Sequence, residues 1–189
     1  MDDLKDYSGE LHAPRMRLEE FTKEALIRLI TQYAKLVYLI DGTWFSTVSK
    51  KVGEKEAFEW EQLVWAKVCP IEWGWFTEAL NIHGNDVASV LKLHQACANS
   101  RLNDFLSYVE LKSENHGIIT FTACKVLEQF EERGKVDKIQ PICQIDIDGF
   151  IEEAKFINPD IKLNVLKLPP RNGRDEVACI WELKLGSDV

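Results

Sequence analysis

The chain has 189 residues, and its 31 Asp and Glu against 23 Lys and Arg give a formal net charge of −8. This length predicts one domain over residues 1–189. The negative charge and the scattered basic residues argue against nucleic acid as a partner. The apolar runs are too short to cross a bilayer, and the acidic opening MDDLKDYS has no apolar signal segment. We therefore expect a cytoplasmic protein that does not associate with membranes.

The first hundred residues have the apolar spacing of helices. One helix is predicted between Thr22, which can act as its N-cap, and Gly53, which can end it. A second is predicted over about residues 55–80, with a break or kink at Pro70. A third is predicted over about residues 86–94, capped by the acidic or amide side chain at its start.

The spacing of apolar residues changes from helical to alternating after Ser100, which is typical of strands. The predicted order is strand 105–112, turn 115–117, strand 118–124, helices 125–133 and 143–156, and strands 162–168 and 177–185. The fold class is therefore predicted as α+β. An N-terminal helical layer of about three helices (residues 1–100) precedes a ββααββ antiparallel-sheet unit (residues 101–189).

Three of the five cysteines fall in this second part of the chain. Cys124 ends the second predicted strand, Cys143 lies in the first turn of a predicted helix, and Cys179 faces inward from the last strand. A helix N-terminus stabilises a thiolate, so Cys143 is the expected nucleophile. Asp146, three residues further on, shares its side of the helix and could handle its proton.

Two alternatives to the nucleophile remain open. Cys124, Cys143 and Cys179 could together hold a metal ion, zinc or iron, that activates water. They could also be small apolar side chains of a core, because their spacing matches no zinc ribbon.

Two carboxylates interrupt apolar helical stripes, and one arginine follows a rigid turn. Asp41 and Glu72 should face other parts of the protein, as the polar floor of a ligand pocket or as members of structural salt bridges. Arg171 follows Pro169 and Pro170, and it could hold a ligand carboxylate bidentately or form a surface ion pair.

Tryptophans are concentrated in the second predicted helix. Trp60, Trp73 and Trp75 exceed what one stripe can bury, which predicts a homodimer face. His94 and Cys97 have a spacing that metals use, but two ligands are too few, and we expect a core histidine.

Four segments of the chain carry a resemblance to known proteins: DGTWF from Asp41, VCPIEWGWFTEALNI around Glu72, NPDIKLNVLKLPPR and ACIWELKL. They resemble a family of uncharacterised cytosolic proteins of this length. The order Cys124, Cys143 with Asp146, then Cys179 more distantly resembles the L-2-amino-thiazoline-4-carboxylic acid hydrolase-like family. That resemblance implies opening of a cyclic amidine ring on a small carboxylate, with a nucleophilic role for Cys143 or a bound metal and a carboxylate-binding role for Arg171.

Two functions follow as hypotheses. The first is a small-molecule hydrolase that cleaves a cyclic C–N bond of the amidine or amide type at a cysteine-centred site. The second is a domain that binds or senses a small molecule or metal without converting it, since the late ββααββ order with cysteines also resembles the 4-vinyl reductase type of domain. Both hypotheses imply a small-molecule ligand.

Overall fold

The computed structural model of the protein describes residues 15, 17–97 and 105–186. The helices are α1 (Lys23–Val52), α2 (Glu54–Leu80), α3 (Val87–Ala96), α4 (Lys125–Glu132) and α5 (Gln140–Ile157). The strands are β1 (Phe105–Ser113), β2 (His116–Cys124), β3 (Ile161–Lys167) and β4 (Cys179–Leu185). The predicted α+β class, with three helices ahead of a ββααββ unit, is confirmed. The predicted change of pattern near Ser100 lies outside the described residues.

Local capping chemistry defines the two long N-terminal helices. The Thr22 hydroxyl accepts a hydrogen bond from the Ala25 N–H at 3.2 Å, as predicted for the start of α1. Gly53 separates α1 from α2 with φ at +93°, a conformation that side-chain-bearing residues rarely adopt. The predicted break at Pro70 is wrong, because α2 continues through this residue to Leu80.

The four strands form one antiparallel sheet in the order β1-β2-β4-β3. The predicted turn of the first hairpin begins one residue and ends two residues too late, because the turn consists of Glu114 and Asn115. Gly117 belongs to β2 instead. A Cβ added there would lie 2.6 Å from Leu91 Cδ1, so the glycine allows α3 to approach the strand closely.

The main core lies between the sheet and helices α2, α3 and α5. Aromatic rings are packed at its centre, where Trp181 of β4 lies 5.3 Å from Phe150 of α5 between ring centroids. The fully enclosed members are Trp73, Val87, Val90, Leu93, Ile119 and Leu183. His94 is the core histidine that was expected, since it is buried and within 3.0 Å of the Ser107 hydroxyl, and burial lowers its pKa to about 4.

Helix α5 and strand β4 begin two or three residues away from their predicted starts. Helix α5 begins three residues before Cys143, because Pro141 suits the first turn of a helix. Strand β4 begins at Cys179, two residues later than predicted. Helix α2 packs on α5 on one side and on α1 on another, where the Phe45 and Phe58 rings are 4.7 Å apart. The α1–α2 hairpin therefore forms an outer layer over α5.

Candidate functional site

The structure brings the three late cysteines into one region. Cys124 ends β2 and accepts the Leu127 N–H at the start of α4, with a distance of 3.5 Å from N to Sγ. Cys143 lies in the first turn of α5 and packs with Cys124 against a small core of Leu127, Ile139 and Ala178. Negative charge on Cys124 or Cys143 raises the pKa of Cys179, so the three thiols lie close enough to interact.

All three thiols are held in the protonated form. Burial is the largest cause and raises the pKa of Cys124, Cys143 and Cys179, that of Cys143 to about 12. This direction contradicts the predicted thiolate at the start of α5. The Cys143 N–H is already bonded to the Ile139 carbonyl at 3.1 Å, and burial with the nearby Asp146 charge outweighs the helix terminus. At neutral pH these groups are thiols.

Asp146 of α5 lies near the thiols, and two more carboxyl groups, from α1 and α2, lie near Asp146. Asp41 of α1 accepts a hydrogen bond from the indole N–H of Trp65 in α2, with 3.1 Å from Nε1 to Oδ1. Burial raises the pKa of Asp41, and this hydrogen bond offsets part of the increase. Burial and then the charges of Asp41 and Asp146 raise the pKa of Glu61 to about 7. Burial and then the Asp41 charge raise that of Asp146 to about 7 as well.

Asp146 is the residue that connects the carboxyls and the thiols. Its charge raises the pKa of Glu61, Cys124, Cys143, Glu153 and Cys179. The side chain is nevertheless exposed to water, although protein surrounds its position on α5 and disfavours the charged form. We call Asp41, Glu61 and Asp146, with the thiols of Cys124, Cys143 and Cys179, the Asp146 site.

The carboxyls of the Asp146 site have no basic partner in the described part of the chain. Among residues 15, 17–97 and 105–186, no ion pair includes Asp41, Glu61 or Asp146. The same residues contain no group of three or more His, Cys, Asp or Glu side chains that could hold a metal ion. The metal hypothesis therefore stays a prediction from the sequence alone.

Glu72 belongs to a neighbouring acidic group between α2 and α5. Glu153 has a pKa raised to about 8, first by burial, while a hydrogen bond from the Cys69 thiol opposes the increase and the Glu72 charge adds to it. The indole of Trp73 also interacts favourably with Glu153. Trp73 Nε1 has no partner at hydrogen-bond geometry, so its interaction with Glu153 is a weak, long contact. Glu72 therefore lies near Glu153 and Cys69, and its role in a ligand pocket stays a prediction.

Arg171 is occupied by the protein itself. Its guanidinium donates to both carboxylate oxygens of Glu131, from Nε at 2.8 Å and from Nη2 at 3.0 Å. Nη1 donates to the carbonyl oxygens of Arg174 and Glu176 at 3.1 and 3.3 Å. The side chain is only 2% exposed. The predicted bidentate geometry is present, but the carboxylate is that of α4, and a ligand would have to displace it.

Two members of these groups were not singled out from the sequence. Glu61 follows Ala57 and precedes Trp65 at helical spacing, so a search for acids within the buried stripe of α2 would have found it. Glu153 lies between Phe150 and Ile157 on α5 in the same manner. An apolar surface groove of about 450 Å³ between the first turns of α2 and α5 lies beside Glu61 without including it.

Fold and site together define an α+β protein with a cluster of carboxyl and thiol groups where a helical hairpin packs on α5. The chain matches the family of unknown function DUF6125 over residues 19–185, and it belongs to that family. No curated protein and no solved structure matches the chain. None of the helices in the described ranges has the length and apolarity needed to cross a membrane.

Proposed function

We propose that the protein binds a small cationic molecule of the amidine class at the Asp146 site and hydrolyses a cyclic C–N bond in it. The observation that carries the proposal is Asp146, a water-exposed carboxyl whose charge reaches five other acidic groups. Planar amidinium and guanidinium groups pair with carboxylates through two parallel hydrogen bonds. A cationic ligand would also relieve the repulsion among Asp41, Glu61 and Asp146.

The acid strengths of Glu61 and Asp146 suit general acid–base catalysis. Both have pKa values of about 7, and the Asp146 charge disfavours ionisation of Glu61, so near neutral pH Asp146 can be ionised while Glu61 keeps its proton. Pairs of this kind divide the roles of base and acid between two carboxyl groups. In this proposal ionised Asp146 is the base and protonated Glu61 is the acid.

The reaction has two steps. Asp146 takes a proton from water as the oxygen bonds to the amidine carbon. The ring C–N bond then breaks and the leaving nitrogen takes the proton of Glu61. The new hydroxyl loses its proton to the Glu61 carboxylate as the carbonyl forms, and Asp146 returns its proton to solvent.

Water replaces Cys143 as the attacking group in this mechanism. The Cys143 thiol has a pKa of about 12, whereas Asp146, the base beside it, has a pKa of about 7. The Cys143 thiol therefore lacks the lowered pKa that supplies thiolate to cysteine nucleophiles. Water is a weaker acid still, so Asp146 must take its proton in the same step that bonds the oxygen to the amidine carbon. Cys143 lines the site as a neutral side chain.

Binding can be tested with benzamidine, a planar amidinium that is not a cyclic substrate. We expect it to raise the melting temperature of the wild-type protein but not that of Asp146→Asn or Asp41→Asn. Both variants should fold, because each removes one of several repelling charges. Asp137→Asn, an exposed Asp outside the site, is the matched control and should respond like wild type. An equal response in Asp146→Asn would exclude the site.

Turnover can be tested with 2-methyl-2-imidazoline, a cyclic amidinium whose ring can open by hydrolysis only at a C–N bond, followed by mass spectrometry for the gain of one water. We expect Asp146→Asn to lower kcat by about a hundredfold or more, and Cys143→Ala to retain activity. Loss of activity in Cys143→Ala, with a covalent adduct trapped on wild type, would refute attack by water and restore Cys143 as the nucleophile.

Binding without conversion is the second candidate function, and one observation favours it. All three thiols of the Asp146 site have raised pKa values, so the site contains no nucleophile that is ready at neutral pH. This function predicts that benzamidine binds as above, while cyclic amidines are recovered unchanged after long incubation. Any enzyme-dependent ring opening would exclude it.

A further inference from the structure

The α1–α2 hairpin exposes an unusually large amount of apolar surface. On α1 only Ala25 and Ala34 are buried, although the helix has 30 residues. Many large apolar side chains of both helices are exposed, and nine of them, 39 to 71% exposed, follow one stripe along each helix. On α1 these are Ile30, Tyr33, Val37 and Ile40, and on α2 they are Trp60, Val64, Val68, Ile71 and Trp75. We call these nine residues the outer hairpin face.

The spacing of these residues is that of helices that pack on helices. The four on α1 are separated by three, four and three residues, which is the heptad pattern of a helix–helix seam. The five on α2 also follow one helical stripe. That stripe is distinct from the side of α2 that meets α5 through Gln62, Cys69 and Trp73. The sequence thus continues an apolar pattern where the described fold supplies no partner.

The area of the outer hairpin face is sufficient for a stable dimer. Nine apolar side chains about half exposed present roughly 600 Å² of apolar surface, if aliphatic side chains contribute about 100 Å² and aromatic ones about 200 Å² when complete. A standard interface buries about 800 Å² per partner, of which only somewhat more than half is apolar. A patch of this size reaches the upper limit for the surface of an ordinary monomer.

The charges of the two helices indicate which surface would cover this face. Helix α1 has five Lys and Arg against two Asp and Glu, a net charge of +3. Helix α2 has two Lys against six Glu, a net charge of −4. In a two-fold dimer each copy contributes the same patch. The dimer then contains two equivalent contacts, each between α1 of one copy and α2 of the other. Opposite net charges favour that pairing over α1 on α1 or α2 on α2.

We propose that the outer hairpin face is covered by a second copy of this chain, with α1 of each copy packed on α2 of its partner in a four-helix layer. Two residues of the predicted dimer face, Trp60 and Trp75, belong to it. Trp73 does not, because its side chain is fully buried in the core of its own chain. The proposal depends on the hairpin surface alone and is independent of the proposed function.

The test is the mass of the protein in solution by light scattering and sedimentation equilibrium. We expect twice the chain mass of 21.8 kDa at micromolar concentration. Ile40→Glu and Val68→Glu should raise the dimer dissociation constant by about a hundredfold or more, since each buries a charge without a partner. Leu166→Glu, equally an exposed apolar residue but on β3, is the control and should remain dimeric. Circular dichroism checks that all three variants fold.

Orientation requires a second measurement. A mixture of ¹⁴N- and ¹⁵N-labelled protein treated with a zero-length amine–carboxyl cross-linker should give mixed-isotope peptides that join α1 lysines to α2 glutamates. Cross-links between α1 and α1 alone would refute the arrangement. A wild-type monomer, a dimer unaffected by Ile40→Glu and Val68→Glu, or a monomer that binds lipid vesicles through this face would refute the dimer itself.

Discussion

Glu153→Gln should make the protein more stable, by an amount that grows with pH. Burial and the Glu72 charge raise the pKa of Glu153 from 4.5 to about 8. The folded state therefore holds this proton more tightly than the unfolded state. Its stabilising effect is complete below the unfolded pKa of 4.5 and is lost as the pH rises through about 8.

The shift of about 3.5 units sets the size of the effect. Each pKa unit corresponds to about 1.4 kcal/mol, so ionising Glu153 should lower the free energy of unfolding by about 2–4 kcal/mol between about pH 5 and about pH 8. Glutamine has nearly the same shape and cannot ionise, so the variant should lack this loss. The two proteins should then be similarly stable near pH 5 and differ by about 2–4 kcal/mol near pH 8.

Urea unfolding across this pH range, followed by tryptophan fluorescence, measures the difference directly. Glu152→Gln is the matched control, because Glu152 is the adjacent residue on α5 and is half exposed in an ion pair with Lys155. That variant should follow the wild-type curve within a few tenths of a kcal/mol. If Glu153→Gln also runs parallel to wild type from pH 5 to pH 8, Glu153 is ionised in the folded state and the reasoning about this acidic group is wrong.

Three further outcomes follow from particular contacts. Arg171→Lys should lower the free energy of unfolding in urea by about 2–4 kcal/mol, because lysine cannot replace two parallel hydrogen bonds to Glu131 and two to backbone carbonyls. A loss below about 0.5 kcal/mol would show that the pair contributes little. Gly117→Ala should cost about 1–3 kcal/mol, because its Cβ would lie 2.6 Å from Leu91 Cδ1, and an unchanged midpoint would mean that α3 moves freely. Cys143, with a pKa of about 12, should react with a disulfide reagent near pH 7 far more slowly than a free thiol, and fast labelling at this residue by peptide mapping would contradict the pKa.

The sequence predicts most of the fold because its strongest signals act over short distances. Thr22 bonds to a backbone N–H three residues away, and Gly53 supplies a conformation that other residues avoid. These interactions need no knowledge of the rest of the chain. Gly117 was misplaced for the opposite reason. Its role in β2 depends on the approach of Leu91, which is 26 residues earlier in the chain and becomes a neighbour only after α3 has packed on the sheet.

The site was predicted in its residue types but not in its electrostatics. Asp41 was found from its place in an apolar stripe, and Asp146 from its position one turn after Cys143. The pKa of Asp146, however, depends on how closely Asp41 of α1 approaches α5, which the sequence does not indicate. The pKa of the Cys143 thiol was also not predicted. The sequence indicates the helix terminus, which lowers a thiol pKa, but not the burial that raises it by more. For Arg171 the pattern indicated bidentate binding, but nothing in the sequence identifies a partner 40 residues away.

A rise in pH through about 7 should lower the stability of the ligand-free protein but raise its affinity for a cation, and these opposite effects allow one more test. Without ligand, raising the pH through about 7 ionises Glu61 and Asp146 and adds repulsion to the fold. A cation binds to the ionised carboxyls, so the same rise in pH should strengthen its binding. Benzamidine remains an amidinium over this range, so only the protein titrates. Its dissociation constant, measured by calorimetry, should fall as the pH rises towards about 7, by up to about tenfold per pH unit for each carboxyl that must lose a proton. Above about pH 7 the dissociation constant should level off. Asp146→Asn should both weaken binding and flatten the slope, whereas Asp137→Asn should change neither. A dissociation constant that does not vary from pH 5 to pH 8 would mean that the cation binds elsewhere, and the carboxyls of the Asp146 site would then have no assigned ligand.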